Sequence, residues 1–195
     1  MTGTRWLVME PHAGDPAAPF RTRLAGAGRC LPPTHLSTTD LMSSTRHHTH
    51  IDLERLTGIH ERCVSVGDED SYSLATAAAL DCLAKADQPG SAVDVVISCS
   101  ITKFHDGLTQ WLEPTMSRSV ANAIGAQKAM TFDLSNACAG MLTGVTVANN
   151  WIRQGSIERA LVVSGEYISQ LGHNAARHIR NIMSKELASL TLGDA

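Results

Sequence analysis

Residues 129–166 read AMTFDLSNACAGMLTGVTVANNWIRQGSIERALVVSGE, and the fold class turns on how this stretch divides. AMTFDL (129–134) is a short apolar run that gives way to polar and small residues, the pattern of a strand end. From 138 to 155, Met141, Leu142, Val145, Ala148, Trp151 and Ile152 recur at helical spacing, and Gly155 is placed to cap the C-terminus. RALVVSGE (159–166) is a β-branched apolar run of the kind found in strands buried on both faces. A strand, a helix and a strand in that order predict a parallel crossover in an α/β sheet, where ligands gather outside the carboxyl ends of the strands. Cys138 falls at one of those ends.

The alternation extends toward the N-terminus. VDVVISCS (93–100) reads as another buried strand, and SYSLATAAALDCLAKA (71–86) as a helix with Leu74, Ala78 and Leu83 on one stripe and Ser71 or Ser73 at its cap. EPTMSRSVANAIGA (113–126) fits a helix with Pro114 in the first turn and Gly125 near the stop. RTRLAGAGRCLPP (21–33) suggests a short strand ended by two prolines. Residues 34–70 are polar and irregular, apart from a short helix around Asp52–Leu56. Residues 1–19 keep neither a period of 2 nor one of 3.6, so the expected organisation is an arm over 1–19 and one α/β unit over 20–195.

Bulk properties bound the function. With 195 residues, 43% of them hydrophobic, the chain can bury a core of its own. A formal charge of −3 supplies no basic field for nucleic acid or an anionic membrane surface, so neither is expected as a partner. No run approaches the roughly 20 apolar residues of a membrane span. Five cysteines (30, 63, 82, 99 and 138), widely spaced and without a CxxC pair, fit free thiols, and with no signal-like start they point to a reducing cytoplasm.

Cys138 therefore has two readings. Cysteine is among the most buried residue types, so packing is the plain one. Alternatively, a helix N-terminus favours the thiolate, and the small neighbours Ala137, Ala139 and Gly140 would admit a bulky thioester and leave backbone amides free as an oxyanion hole.

The stretch DLSNACAGMLTGVTVANNWIRQGSIERALVVSGE resembles the nucleophile segment of thiolase-superfamily condensing enzymes, in particular β-ketoacyl-ACP synthase III. GAGRCLPP, TGIHER (57–62), VDVVISCS and the terminal TLGDA extend the resemblance over about residues 22–195. WLEPT (111–115), MTFDLSNAC (130–138) and ELASLTLG (186–193) are most similar to the long-chain acyl-CoA enzymes that begin olefin biosynthesis by head-to-head Claisen condensation. The resemblance implies the N-terminal half of a thiolase-like α/β fold, with a layered, mostly parallel sheet over 20–195. It implies an acyltransferase in lipid biosynthesis in which Cys138 accepts an acyl group from a CoA or acyl-carrier-protein thioester, without a cofactor or metal. It further implies a dimer in which Glu113 is offered across the interface as the base for the α-proton of the second thioester. On local pattern Glu113 is equally the first-turn acid of a helix.

These enzymes take a histidine and an asparagine from the second half of the fold. The expectation is therefore that this chain needs a C-terminal half or a partner chain, and is inactive without it; the alternative is a non-catalytic subunit that lends its surface to an active one. The tryptophan and arginine that clamp CoA in synthase III have no counterparts before TGIHER, where Asp52 and Leu56 stand. His173 and His178 fall in a polar segment expected at a surface. HHTH (47–50) lacks a carboxylate or cysteine at ligand spacing, GAG (26–28) opens no helix, and neither is expected to bind a metal or a nucleotide. Cys30, Cys63, Cys82 and Cys99 read as core or loop residues. Asn136 could orient the Cys138 turn or make a local Asx bond, and Trp111 could line an acyl channel or an interface.

Overall fold

The computed structural model describes residues 7–12, 21–46, 51–105, 109–181 and 183–195. Its elements are, in chain order, β1 (Leu7–His12), β2 (Arg21–Gly26), β3 (His35–Ser37), α1 (Thr38–Ser43), α2 (Leu53–Thr57), β4 (Glu61–Cys63), α3 (Ser71–Ala86) and β5 (Val95–Ser98). They continue with β6 (Phe104–His105), β7 (Thr109–Gln110), α4 (Met116–Ala123), β8 (Met130–Asp133), α5 (Gly140–Arg153), β9 (Ala160–Val163) and α6 (Ser169–His178). The chain divides into two units, Met1–Cys30 with Asp70–Glu166 and Leu31–Glu69 with Tyr167–Ala195.

The first unit is built on a five-stranded sheet ordered β2-β1-β9-β5-β8. β5 runs parallel to both β8 and β9, with Ile97 opposite Phe132 on one side and Val162 on the other. These are the three apolar runs recognised in the sequence, and β5 and β9 are buried along their whole length. β1 adds on antiparallel to β9 and is itself paired antiparallel with β2. The sequence expectation of an arm over residues 1–19 thus covers a segment that contributes a strand; one of its two pairing partners, β2, follows directly in the chain, and the other, β9, lies about 150 residues away, beyond any local signal.

Helices cover both faces of this sheet. On one side α3 and α4 pack Ala78, Ala79, Leu83, Met116 and Val120 against Val96, Leu161 and Val163. On the other, α5 packs Ala148 and Ile152 against Val95, Ile97 and Val162. Each fully buried Ile, Leu or Val contributes about 1.5–3 kcal/mol relative to an exposed one. The stripe α5 buries is Gly140, Gly144, Ala148 and Ile152, at strict i, i+4 spacing. Leu142, expected on the core stripe, is instead 73% exposed, because the glycines let the backbone rather than the large side chains meet the sheet. A Cβ at Gly144 would lie 2.7 Å from both Cys99 Sγ and Val162 Cγ1. GAG likewise has a packing reason: a Cβ at Gly28 would lie 2.3 Å from Cys82 N.

Helix ends depart from expectation in a consistent way. α3 is capped by Asp70 and not by Ser71 or Ser73; Ser73 completes a capping box. α4 begins at Met116 behind the N-cap Thr115, so Glu113 and Pro114 lie outside it. α5 begins at Gly140, after a single 3-10 turn over Ala137–Ala139.

The second unit has its own core of Leu41, Leu53, Ala175, Ala176, Ile179 and Leu190. It holds the β3–β4 ladder, α1, α2 and α6. Asp52 caps α2, accepting from Arg55 N, and Leu56 is 54% exposed.

Candidate active site

β8 ends at Asp133, and the chain passes through Leu134, Ser135 and Asn136 into the Cys138 turn before α5 begins. Ala137 takes φ +42°, a left-handed conformation that costs a non-glycine residue about 1–2 kcal/mol. A sharp turn of this kind aims the next side chain outward, and Cys138 is the exposed cysteine among the five. The turn is braced from both sides. Asn136 Nδ2 donates to Thr143 Oγ1 at 2.8 Å, and Thr143 Oγ1 donates to the Ala139 carbonyl at 3.0 Å. Asn136 thus ties the turn to the first turn of α5 instead of making the local Asx bond.

The amides of Ala139 and Gly140, expected to be free, donate to the carbonyls of Asn136 and Ala137. The Cys138 amide has no acceptor among the described residues. Cys99 sits behind the turn, beneath Gly140 and Gly144, and is chemically its opposite. Burial pushes its thiol up to about 12 despite a hydrogen bond with the Gly144 backbone.

Glu113 is exposed and stands two residues before the α4 cap. The first-turn-acid alternative therefore does not describe it. Its segment is fixed at the same end of the sheet as Cys138, because Asp133 Oδ1 accepts from Ser117 N at 3.0 Å and Oδ2 from Met116 N at 3.4 Å. Among the described residues no hydrogen bond or ion pair joins Glu113 to Cys138, nor either one to a histidine.

Several residues at this end of the sheet carry no local sequence signal. Lys103 Nζ lies 2.7 Å from Asp133 Oδ2, the two side chains 24% and 12% exposed. Burial alone would raise the Asp133 carboxyl, but the Lys103 ammonium and the Ser117 hydrogen bonds outweigh it and hold it below the usual carboxylate range. Glu166 accepts from Ile101 N, Thr102 N and Thr102 Oγ1, clasping the end of β9 to the loop after β5. His105 Nδ1 lies 2.6 Å from buried Asp70 Oδ2, and its ring meets Trp111 edge-on at 4.7 Å. Trp111 packs against the α3–α4 core from the edge of that hairpin. Only Asp70 was accessible to sequence reading, as an acid three residues ahead of Ser73 at a helix start.

His173 is half-buried and His178 exposed on α6. HHTH lies outside the described residues. Among the described residues no cluster of His, Cys, Asp or Glu could hold a metal ion, and no helix is long and apolar enough to cross a membrane.

Comparison with known proteins gives this geometry a context. The family model for 3-oxoacyl-[acyl-carrier-protein (ACP)] synthase III matches residues 132–184, a span that includes Cys138. The chain is 30% identical over 151 residues to a β-ketoacyl-[acyl-carrier-protein] synthase III of Paramagnetospirillum magneticum, covering 77% of this chain and 44% of that one. It is 32% identical over 153 residues to synthase III 1 of Lactiplantibacillus plantarum, covering 78% and 45%. It therefore spans about half the length of the curated relatives it matches. Among solved structures, cerulenin-bound OleA of Xanthomonas campestris superposes with a TM-score of 0.75 at 24% identity, over 97% of this chain and 55% of that one. The synthase III of Aquifex aeolicus superposes with a TM-score of 0.65 at 26% identity, over 75% and 45%. These likenesses make this a β-ketoacyl-ACP synthase III-like chain with a thiolase-type α/β fold, corresponding to about the N-terminal half of the relatives it matches.

Proposed function

We propose that this chain carries the acyl-accepting part of an enzyme that condenses two acyl thioesters. The Cys138 thiolate attacks the carbonyl of a fatty acyl-CoA or acyl-carrier-protein thioester, the CoA or carrier thiol leaves, and an acyl-cysteine remains. The α-carbon of a second thioester, having lost a proton to Glu113, then attacks that acyl group, and Cys138 departs as thiolate with a new carbon–carbon bond formed. Supporting the first step is the exposed thiol in a braced, left-handed turn, within the stretch that matches the synthase III family model. That is the observation on which the reading rests. Supporting the second is an exposed carboxylate in a segment held by the last residue of β8.

The thiol activator and the second oxyanion donor are assigned to a C-terminal half or a partner chain, and Glu113 to the site of the neighbouring subunit in a dimer. Setting is assigned to the cytoplasm, where thiols stay reduced. The test is to incubate the protein, together with the C-terminal half or partner chain that supplies the activator, with a long-chain acyl-CoA and map the adduct by mass spectrometry. Acylation confined to Cys138 and abolished by Cys138→Ala is expected. A protein whose Cys138→Ala form supports condensation as well as the parent would instead be a subunit that lends its surface to an active partner.

A further inference from the structure

The clasp at Asp133 carries a consequence beyond that reading, although it rests on it. One carboxylate, at the last position of the strand that leads to Cys138, takes hold of two other chain segments at once. Its Oδ1 receives Ser117 N and its Oδ2 Met116 N, so it anchors the start of α4 just behind Glu113. Oδ2 also meets Lys103 Nζ at 2.7 Å, and Lys103 closes the hairpin that runs into Glu113, its carbonyl accepting from Trp111 N at 2.9 Å. Glu113 therefore hangs between two fixed points, Trp111 on one side and Met116 on the other. Both are tied to Asp133, directly or through Lys103. Met116 and Ser117 are fully buried, so the anchor on the α4 side cannot shift without disturbing the core. The hairpin is also held to α3, through His105 on Asp70, Phe104 N on Ser71 Oγ and Tyr72 OH on the Trp111 carbonyl, but its link to Asp133 is the single ion pair with Lys103.

We infer that Asp133 and Lys103 form a positioning pair that fixes the Glu113 segment on the body of its own subunit, so that the carboxylate is presented in a set place to the neighbouring subunit's site, and that the pair acts on proton removal from the second thioester and not on acylation of the cysteine. Misplacing a reacting group by about 1 Å can cost on the order of a hundredfold in rate, so a pair that makes no contact with substrate can still control one step. The two steps separate because Cys138 is held by its own brace through Asn136 and Thr143, which does not involve Lys103.

The experiment uses the full protein and measures two rates. One is acylation of Cys138 by acyl-CoA, followed by mass spectrometry; the other is incorporation of deuterium from D2O at the α-carbon of the second thioester. Glu113→Gln first establishes that exchange depends on the carboxylate. Lys103→Met is then expected to lower exchange by about tenfold or more with acylation within about twofold of the parent, while Lys103→Arg, which keeps the ion pair, restores exchange to within about threefold. Lys103→Gln, which stays polar without charge, serves as a second variant and is expected to behave like Lys103→Met. Equal loss of both rates, unchanged exchange in Lys103→Met and Lys103→Gln, or failure of Lys103→Arg to restore it would each overturn the inference. A parent protein that is never acylated at Cys138, or whose exchange ignores Glu113→Gln, would overturn the acyl-transfer reading itself, a different pattern from loss of the pair alone.

Discussion

Two cysteines a few residues apart in space show how much of a thiol's chemistry is decided by its neighbours. Cys138 is exposed behind a left-handed alanine, whereas Cys99 is 4% exposed and pressed under Gly140 and Gly144. Since the thiolate is the reactive form, a thiol pushed up to about 12 by burial is almost wholly protonated at ordinary pH. With iodoacetamide at about pH 8, Cys138 is expected to be alkylated first and Cys99 only when the protein unfolds, Cys82 being fully buried as well. Peptide mapping over a time course checks this, and early labelling of Cys99 would show that α5 does not seal it. The residue pattern ACAG was legible as a candidate site because small residues around a lone cysteine are themselves a local signal. Its exposure was not, since a cysteine between two alanines is equally at home in a core. The resemblance to condensing enzymes supplied the choice that spacing could not make.

At the level of elements, the crossover β8–α5–β9 was readable because its periodicities are local and unbroken. What escaped was the contact stripe of α5, where glycines at 140 and 144 replace large apolar residues. Replacing Gly144 with valine puts carbon atoms where Cys99 Sγ and Val162 Cγ1 already lie within 2.7 Å of a Cβ. Overpacking of this kind costs about 1–3 kcal/mol, so Gly144→Val is expected to lower the denaturation midpoint clearly, whereas Leu142→Ala on the exposed face changes it little. Equal effects from the two would place the wrong face of α5 on the sheet. The caps were missed for a related reason. Thr115 and Asp70 are local, but Asp133 anchors α4 from 16 residues away, and no window of helical length contains both partners. Because the folded Asp133 carboxyl lies below its ordinary range, its contribution to stability is present above the unfolded value and is lost as pH falls through the folded one. The stability gap between the parent and Lys103→Met is therefore expected to be largest near neutral pH and to close as pH falls below the ordinary carboxylate range, measured by denaturant titration at each pH. A gap that widens in acid would mean that Lys103 stabilises something other than an ionised Asp133.

Across the whole molecule, the two units depend on different kinds of glue. The first is a sheet buried on both faces, and its stability is spread over many apolar contacts. The second contains short elements, β3, β4, α1, α2 and α6, with a smaller core, and it relies on a polar hub near the end of the described chain. Asp194, 2% exposed, accepts from Ser65 N, Ile168 N, Ser169 N and Ser169 Oγ at 2.6–2.7 Å. In the sequence TLGDA stood out only as part of a resemblance; its physical role, gathering the starts of two distant segments onto one carboxylate, required the fold. Removing that carboxylate leaves buried donors unmet, at about 1–3 kcal/mol each, which is large beside the 5–15 kcal/mol that holds an ordinary domain together. Because those donors all lie within 31–69 and 167–195, Asp194→Ala is expected to act unevenly. Amide hydrogen exchange should accelerate in β4, Ser65 and α6 by at least about tenfold, while the amides of β5 and β9, paired in the first unit, keep their protection to within about twofold. Asp194→Asn, which retains one carbonyl acceptor, should fall between the parent and Asp194→Ala. Uniform acceleration along the chain would mean instead that the two units open as one cooperative structure, and that the hub at Asp194 supports the sheet as much as the unit in which it lies.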